Sequence, residues 1–314
     1  MMSEKALVYL SDNDLEELGI QPYEVADAIE DTLMAKAKGN FYAAPKTAIL
    51  PGDGRYAMST LAVGDDGFIV TKQVTVCPKN PERGLPSING AIMVLDSQTG
   101  ILRAVLDANW ITAIRTAALS TVAARRLADP DSETVGFIGT GVQARSHLAA
   151  FAEAFPLKRV RVFGRGKANV DKLCELAQGL GLEAETSTEA RDVLREADLV
   201  VTSITLDYSI VPFLDARWLK PTAFAAITDA CIPWKPEGMP AFETVIVDDR
   251  TQERESEKPM LPYQSVTGDL MELVAGQIDS SEIEKPAAFA FRGISLGDYA
   301  AAVLAVRRAS DRGS

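Results

Sequence analysis

Thr134-Val135-Gly136-Phe137-Ile138-Gly139-Thr140-Gly141-Val142-Gln143-Ala144 is the stretch on which the reading of this chain turns. Its first five residues form an apolar run of buried-strand length, and an alanine-rich helical pattern follows to about Phe155. Gly139 permits a tight turn and Gly141 lets backbone approach a pyrophosphate. Ala144 is small enough to keep helix against strand, with the helix N-terminus aimed at the anion. A bare GxGxxA is common and an ordinary βα turn is its bland counterpart. Its position between an apolar strand and a helix points to a dinucleotide, with Thr140, Val142 and Gln143 completing the binding turn.

Downstream, residues 159–163 read as a second strand ending at Gly164-Arg165-Gly166, and helical periodicity resumes through Val170, Leu173 and Leu176. Strand-like runs recur at 198–204, 222–228 and 244–247, with helix-compatible spacers such as 188–196. This alternation predicts a doubly wound parallel sheet. Upstream, residues 22–39 form an amphipathic helix pattern, and the runs at 46–50, 68–76 and 91–96 look like strands parted by Gly, Pro and Asp turns. Consecutive strands without helices indicate a mixed α+β domain. A long alanine-rich helix over 107–127 leads into the parallel-sheet half, and a helical stretch over 296–308 can return to the first domain. The expected organisation is an α/β chain with a first segment at 1–125, a dinucleotide-binding domain at 126–288 and a returning segment at 289–314.

The chain has 314 residues, and 32 Lys+Arg against 44 Asp+Glu give a net charge of −12. With 47% hydrophobic residues it can bury a substantial core, while the acidic balance and scattered basic residues argue against a nucleic-acid partner. No run reaches the roughly 18 apolar residues of a membrane span, and the first residues lack the pattern of a signal peptide, so a cytoplasmic location is expected. Cys77, Cys174 and Cys231 are too dispersed for a disulfide framework or a zinc site and are expected as reduced, mostly buried thiols. His147 is the single histidine, so no His-rich metal cluster is available and none is expected; a structural or surface role suits it. The mixed-charge run 252–258 reads as solvated.

Past the second strand, where a carboxylate would read a ribose 2′-hydroxyl, the chain has Arg165 and Lys167. Positive groups there suit a 2′-phosphate, so NADP(H) is the expected cofactor with NAD(H) an option. Two solvated turn residues are the alternative. Lys72 interrupts an apolar, β-branched run and Arg115 an apolar helix; paired, they suit a buried carboxylate, and singly each can snorkel to solvent. Asp229 closes an apolar strand at its carboxyl end, where ligands of such sheets bind and where a buried carboxyl can transfer protons; a turn or N-cap aspartate fits the same position.

Taken together, Pro45-Lys46, Lys72, Gly84-Leu85-Pro86, Asn89-Gly90, Ile114-Arg115-Thr116-Ala117-Ala118, the turn 139–145 and Thr228-Asp229-Ala230 give the chain a resemblance to the ornithine cyclodeaminase and mu-crystallin family over nearly its whole length. The resemblance implies a homodimer with a Rossmann domain inserted between two segments of a substrate-binding and dimerisation domain. It also implies that Lys46, Lys72 and Arg115 hold a substrate carboxylate, with Asp229 and Lys72 as catalytic residues. Lys46 departs from the family's usual arginine and loses its planar fork. Tyr56 stands where cyclodeaminases carry a glutamate for the distal amine of ornithine. These features favour an NAD(P)H-dependent reductase of a small imino acid over an ornithine cyclodeaminase. A mu-crystallin-like protein that binds NADPH or a small ligand is the third reading.

Overall fold

The computed structural model describes residues 7–279, 281 and 283–312. They fall into two compact units, one running to Arg115 and resuming at Ile294, the other Thr116–Gly293. In chain order the first unit contains β1 (Val8–Leu10), α1 (Asp12–Glu17), α2 (Pro22–Ala37), β2 (Phe41–Ala43), β3 (Thr47–Ile49), β4 (Tyr56–Gly64), β5 (Phe68–Val76), β6 (Ile88–Asp96), β7 (Leu102–Asp107) and the start of α3 (Ala108–Leu127). Pro22 opens α2 with its fixed φ, and a Gln21–Glu24 capping box satisfies the first amides. Val25, Ala26, Ile29 and Leu33 then form its buried stripe.

The strands order as β1-β7-β6-β5-β4-β2, with β3 also on β4; β1 joins β7 in parallel and the remaining pairs are antiparallel. Strand alternation sends Val70, Lys72 and Val74 of β5 and Ile92 and Val94 of β6 to one buried face. On the opposite face the register Tyr9, Val105, Met93, Thr71, Leu61 crosses five strands. Tyr9, Met93 and Leu61 are exposed there.

The second unit continues with β8 (Thr134–Ile138), α4 (Val142–Ala154), β9 (Arg159–Phe163), α5 (Lys167–Gly179), β10 (Glu183–Thr186), α6 (Ala190–Glu196), β11 (Leu199–Thr202), β12 (Phe224–Ile227), β13 (Thr244–Val247), α7 (Arg250–Glu255), β14 (Gly268–Asp269), α8 (Leu270–Val274) and β15 (Ala287–Ala290). These strands make a wholly parallel sheet ordered β10-β9-β8-β11-β12-β15-β13-β14. The order reverses direction between β8 and β11, the switch point where doubly wound sheets take their ligands. The chain therefore combines a Rossmann-type parallel sheet with a mixed sheet. It closes with α9 (Ser295–Arg312), which packs in the first unit against α2, β4 and β5.

The division between the units differs from the one read in the sequence. It falls inside α3 because Arg115 serves the first unit while Ser120, one turn on, bonds His147 of the second. The return starts at Ile294 because Phe289 and Ala290 lie within β15, held between β12 and β13. Lys46 precedes β3 instead of opening it. The run 252–258 is not uniformly solvated: Glu253 on α7 is buried, accepting from the Met260 and Leu261 amides and pairing with Arg292. Of the cysteines only Cys231 is buried, Cys77 and Cys174 being partly exposed. Among the described residues no helix is long and apolar enough to cross a membrane.

Candidate active site

The first unit gathers cations around one carboxylate. β5 sets Lys72 between Val70 and Val74 on its buried face, where the side chain is 1% exposed and snorkelling is ruled out. Its Nζ donates to Asp298 Oδ1 at 2.7 Å and lies 3.5 Å from the Thr112 hydroxyl. Arg115, on α3 and 5% exposed, brings its Nε to within 3.0 Å of the same Asp298 oxygen. Burial pushes the Lys72 ammonium down to about 8; Asp298 opposes that fall, and the charges of Arg115 and Lys46 add to it. The field of half-buried Lys46 thus reaches Lys72, beside the contacts that Lys72 and Arg115 make to Asp298. Arginine and lysine gathered in a low-dielectric site together suit a carboxylate.

Asp298 was not singled out from the sequence. An acid in the first turn of an apolar helix reads as a partner for the helix dipole. What distinguishes it is burial, at 2% exposure, which depends on the packing of α9.

The second unit carries the glycine turn and Asp229. Gly139 has φ +94° and a Cβ there would sit 2.6 Å from the Ser203 carbonyl oxygen, so glycine is required by conformation and by contact alike. A Cβ on Gly141 would meet nothing within 4 Å, leaving the space before α4 clear. No side-chain hydrogen bond caps that helix start, so its first amides are available to an anion. Thr140 and Ala144 are buried, Gln143 is half-buried and Val142 is exposed. The donor set fits the pyrophosphate of a dinucleotide. Arg165 is exposed in the turn after β9; the Asp207 carboxyl is held low by the Ser209 hydroxyl and amide, with a smaller contribution from the charge of Arg165, and Lys167, the first residue of α5, pairs with Asp171 at 2.8 Å.

Asp229 follows β12 and is fully buried. Its Oδ1 accepts from the Thr202 hydroxyl at 3.0 Å and its Oδ2 from the Ile204 amide at 3.2 Å. Burial pushes the carboxyl up to about 7 although both bonds favour the ionised form. Such a group exchanges a proton near neutral pH. Thr202 too was passed over in the sequence, because a threonine ending an apolar strand is common. His147 is buried between Ser120 Oγ at 2.9 Å and the Gln143 carbonyl at 2.7 Å, and burial pushes it down to about 4. It is a neutral packing residue.

A model of the ornithine cyclodeaminase/mu-crystallin family matches residues 7–313. The ketimine reductase mu-crystallin of Mus musculus is 30% identical over 240 residues, 75% of this chain and 74% of its own. Among solved structures, a Thermococcus litoralis Δ1-pyrroline-2-carboxylate reductase in complex with NADH and L-proline is similar with a TM-score of 0.86 over 98% of each chain, at 24% identity. A lysine cyclodeaminase is similar with a TM-score of 0.87 over 99% of this chain and 94% of its own, at 25% identity.

Proposed function

Because the chain belongs to the ornithine cyclodeaminase/mu-crystallin family, we propose that it is an NAD(P)H-dependent oxidoreductase that reduces a small α-imino acid, such as pyrroline-2-carboxylate or piperideine-2-carboxylate, to the amino acid. The observation that carries this reading is the buried set of Lys72 and Arg115 on one Asp298 oxygen, with Lys46 adding positive charge. Arginine and lysine side by side in a buried site suit an anionic substrate group. Lys72, Arg115 and Lys46 take the substrate carboxylate and Asp298 keeps two of those cations in register. The turn Gly139, Thr140, Gly141, Val142, Gln143 and Ala144 holds the dinucleotide pyrophosphate, and a bound nicotinamide supplies the hydride for the imine carbon. Asp229, protonated over half its population below about pH 7, gives its proton to the imine nitrogen. The same groups run the oxidation in reverse at higher pH.

An ornithine cyclodeaminase would need a carboxylate for the distal ammonium, since burying that charge unpaired costs several kcal/mol. Tyr56 supplies none, and the nearby Asp53 is bonded to Arg55 in an exposed turn. For the cofactor, Arg165 supports NADPH over NADH. The exposed row Tyr9, Met93 and Leu61 supports a homodimer through the first-unit sheet.

The test is turnover of NADPH and NADH against a panel of cyclic and linear imino acids, with ammonia release from ornithine measured beside it. Consumption of reduced cofactor with at least one imino acid, and little ammonia, is expected. Conversion of ornithine to proline and ammonia with no imine reduction would reverse the assignment, and neither activity would leave a ligand-binding protein.

A further inference from the structure

Asp229 sits at the end of a hydrogen-bond chain whose direction is set by its far member. The indole Nε1–H of Trp234 lies 3.3 Å from the Thr202 Oγ1, which lies 3.0 Å from Asp229 Oδ1. An indole nitrogen only donates, so the Thr202 oxygen accepts there and its single hydrogen is turned toward Asp229. All three side chains are buried, Trp234 at 2% exposure and the other two completely.

We propose that Thr202 and Trp234 are positioning residues that hold the Asp229 carboxyl in one orientation and set the pH range in which it yields its proton. The inference rests on Asp229 being the acid of the reaction proposed above. With Thr202 donating to Oδ1 and the Ile204 amide to Oδ2, each oxygen has one lone pair engaged by the protein. The carboxyl cannot rotate without losing both bonds. The transferable proton is confined to the lone pairs those donors leave. Burial favours the protonated form and the two donors favour the ionised form, so the hydroxyl keeps the group within reach of neutral pH.

Both ends of the chain are fixed. Thr202 is the last residue of β11, in register with Ile138 of β8 and Ile227 of β12. Trp234 packs edge-on against Phe242 at 5.4 Å, and its amide donates to the Cys231 carbonyl. Between Asp229 and Trp234 the backbone passes through Ala230 at φ +53° and Cys231 at φ +59°. No other non-glycine among the described residues has a positive φ. Side-chain-bearing residues adopt this conformation only where their surroundings impose it, and here it turns the chain so that the indole reaches back to Thr202. Beside the chain lies the Cys231 thiol, which burial pushes well above its ordinary range and so keeps neutral. That thiol feels Asp229 and, in turn, Glu253 and Arg292.

The test is the pH dependence of kcat at saturating imino acid, where the effect of Lys72 on binding drops out, measured on the full chain with NAD(P)H for the unmutated protein and for Thr202→Val, Thr202→Ser and Trp234→Phe. Thr202→Val keeps the β-branched shape and removes the donor. Its alkaline limb should move up by about one pH unit, the scale of one hydrogen bond to a charged group. Thr202→Ser should restore the original limb, and Trp234→Phe should shift it less and in the same direction, because an unpolarised hydroxyl donates more weakly. An unmoved limb in both Thr202→Val and Trp234→Phe would overturn the proposal, as would a Ser variant that behaves like Val. Should Thr202→Val not fold, the Trp234→Phe and Thr202→Ser profiles decide alone. Asp229→Asn separates the two levels: if it keeps full turnover the assignment of the acid fails, whereas an inactive Asp229→Asn beside unshifted Thr202 and Trp234 variants removes only the chain.

Discussion

Asp298 gives one oxygen to two cations, and its removal should be felt through both. In Asp298→Asn the charge that opposes burial at Lys72 is gone, so the ammonium loses its proton at lower pH than the value of about 8 it has in the unmutated protein. In the proposed clamp a carboxylate needs Lys72 charged, so substrate binding should weaken as pH rises through that value. The variant should therefore show a KM for the imino acid raised roughly tenfold or more, from the 1.5–3 kcal/mol typical of a charged hydrogen bond, and an alkaline rise in KM that begins at lower pH. Cofactor affinity, measured by fluorescence titration, should be unchanged. An equal loss of cofactor affinity would mean that Asp298 supports the fold and not the clamp. The same residue marks the limit of reading side chains in sequence. Lys72 and Arg115 stand out because a cation in an apolar run demands a reason. An acid at a helix start has a ready reason already, and only the burial of α9 removes it.

At the level of elements, β8, β9, β11, β12 and β13 were legible because each is a short run of strand-forming residues followed by a turn signal, whereas β10, Glu183–Thr186, carries no such run. Residues 159–163 and 244–247 are β9 and β13, and residues 68–76 are β5, each as read. β15 was not legible: Ala287–Ala290 is four small or aromatic residues without period, and it becomes a strand by pairing with β12 and β13, which are distant in sequence. The buried Glu253 was hidden likewise, since its role is to accept amides from a loop that folds back over α7. The β9–α5 turn carries the prediction that belongs to this scale. Arg165 is exposed and meets Asp207 only through its field, so it can turn to a 2′-phosphate without breaking a buried pair. Arg165→Asp should weaken NADPH binding by about ten- to a hundredfold and leave NADH binding nearly unchanged, read from titrations of both cofactors. Equal affinities in the unmutated protein would contradict it.

For the molecule as a whole, the exposed row across the first-unit sheet sets the expected assembly. A two-fold interface presents each residue twice, so one charge placed in it faces its own copy. The unmutated chain should sediment at twice its monomer mass, and Met93→Glu, in the centre of the row, should shift it to monomer while the fold persists. A monomeric unmutated protein would remove this face from consideration. The proposed reaction is proton transfer from a buried aspartic acid to an imino acid whose carboxylate is held by buried cations. Its most direct test is kcat/KM for NAD(P)H-dependent reduction of pyrroline-2-carboxylate, from about pH 5.5 to about pH 9, for the unmutated chain and Asp229→Asn. Activity should fall as pH rises through about 7, where Asp229 loses its proton, and the Asn variant should be reduced by at least about a hundredfold with that limb gone. An Asn variant that keeps its turnover and the same limb would contradict it.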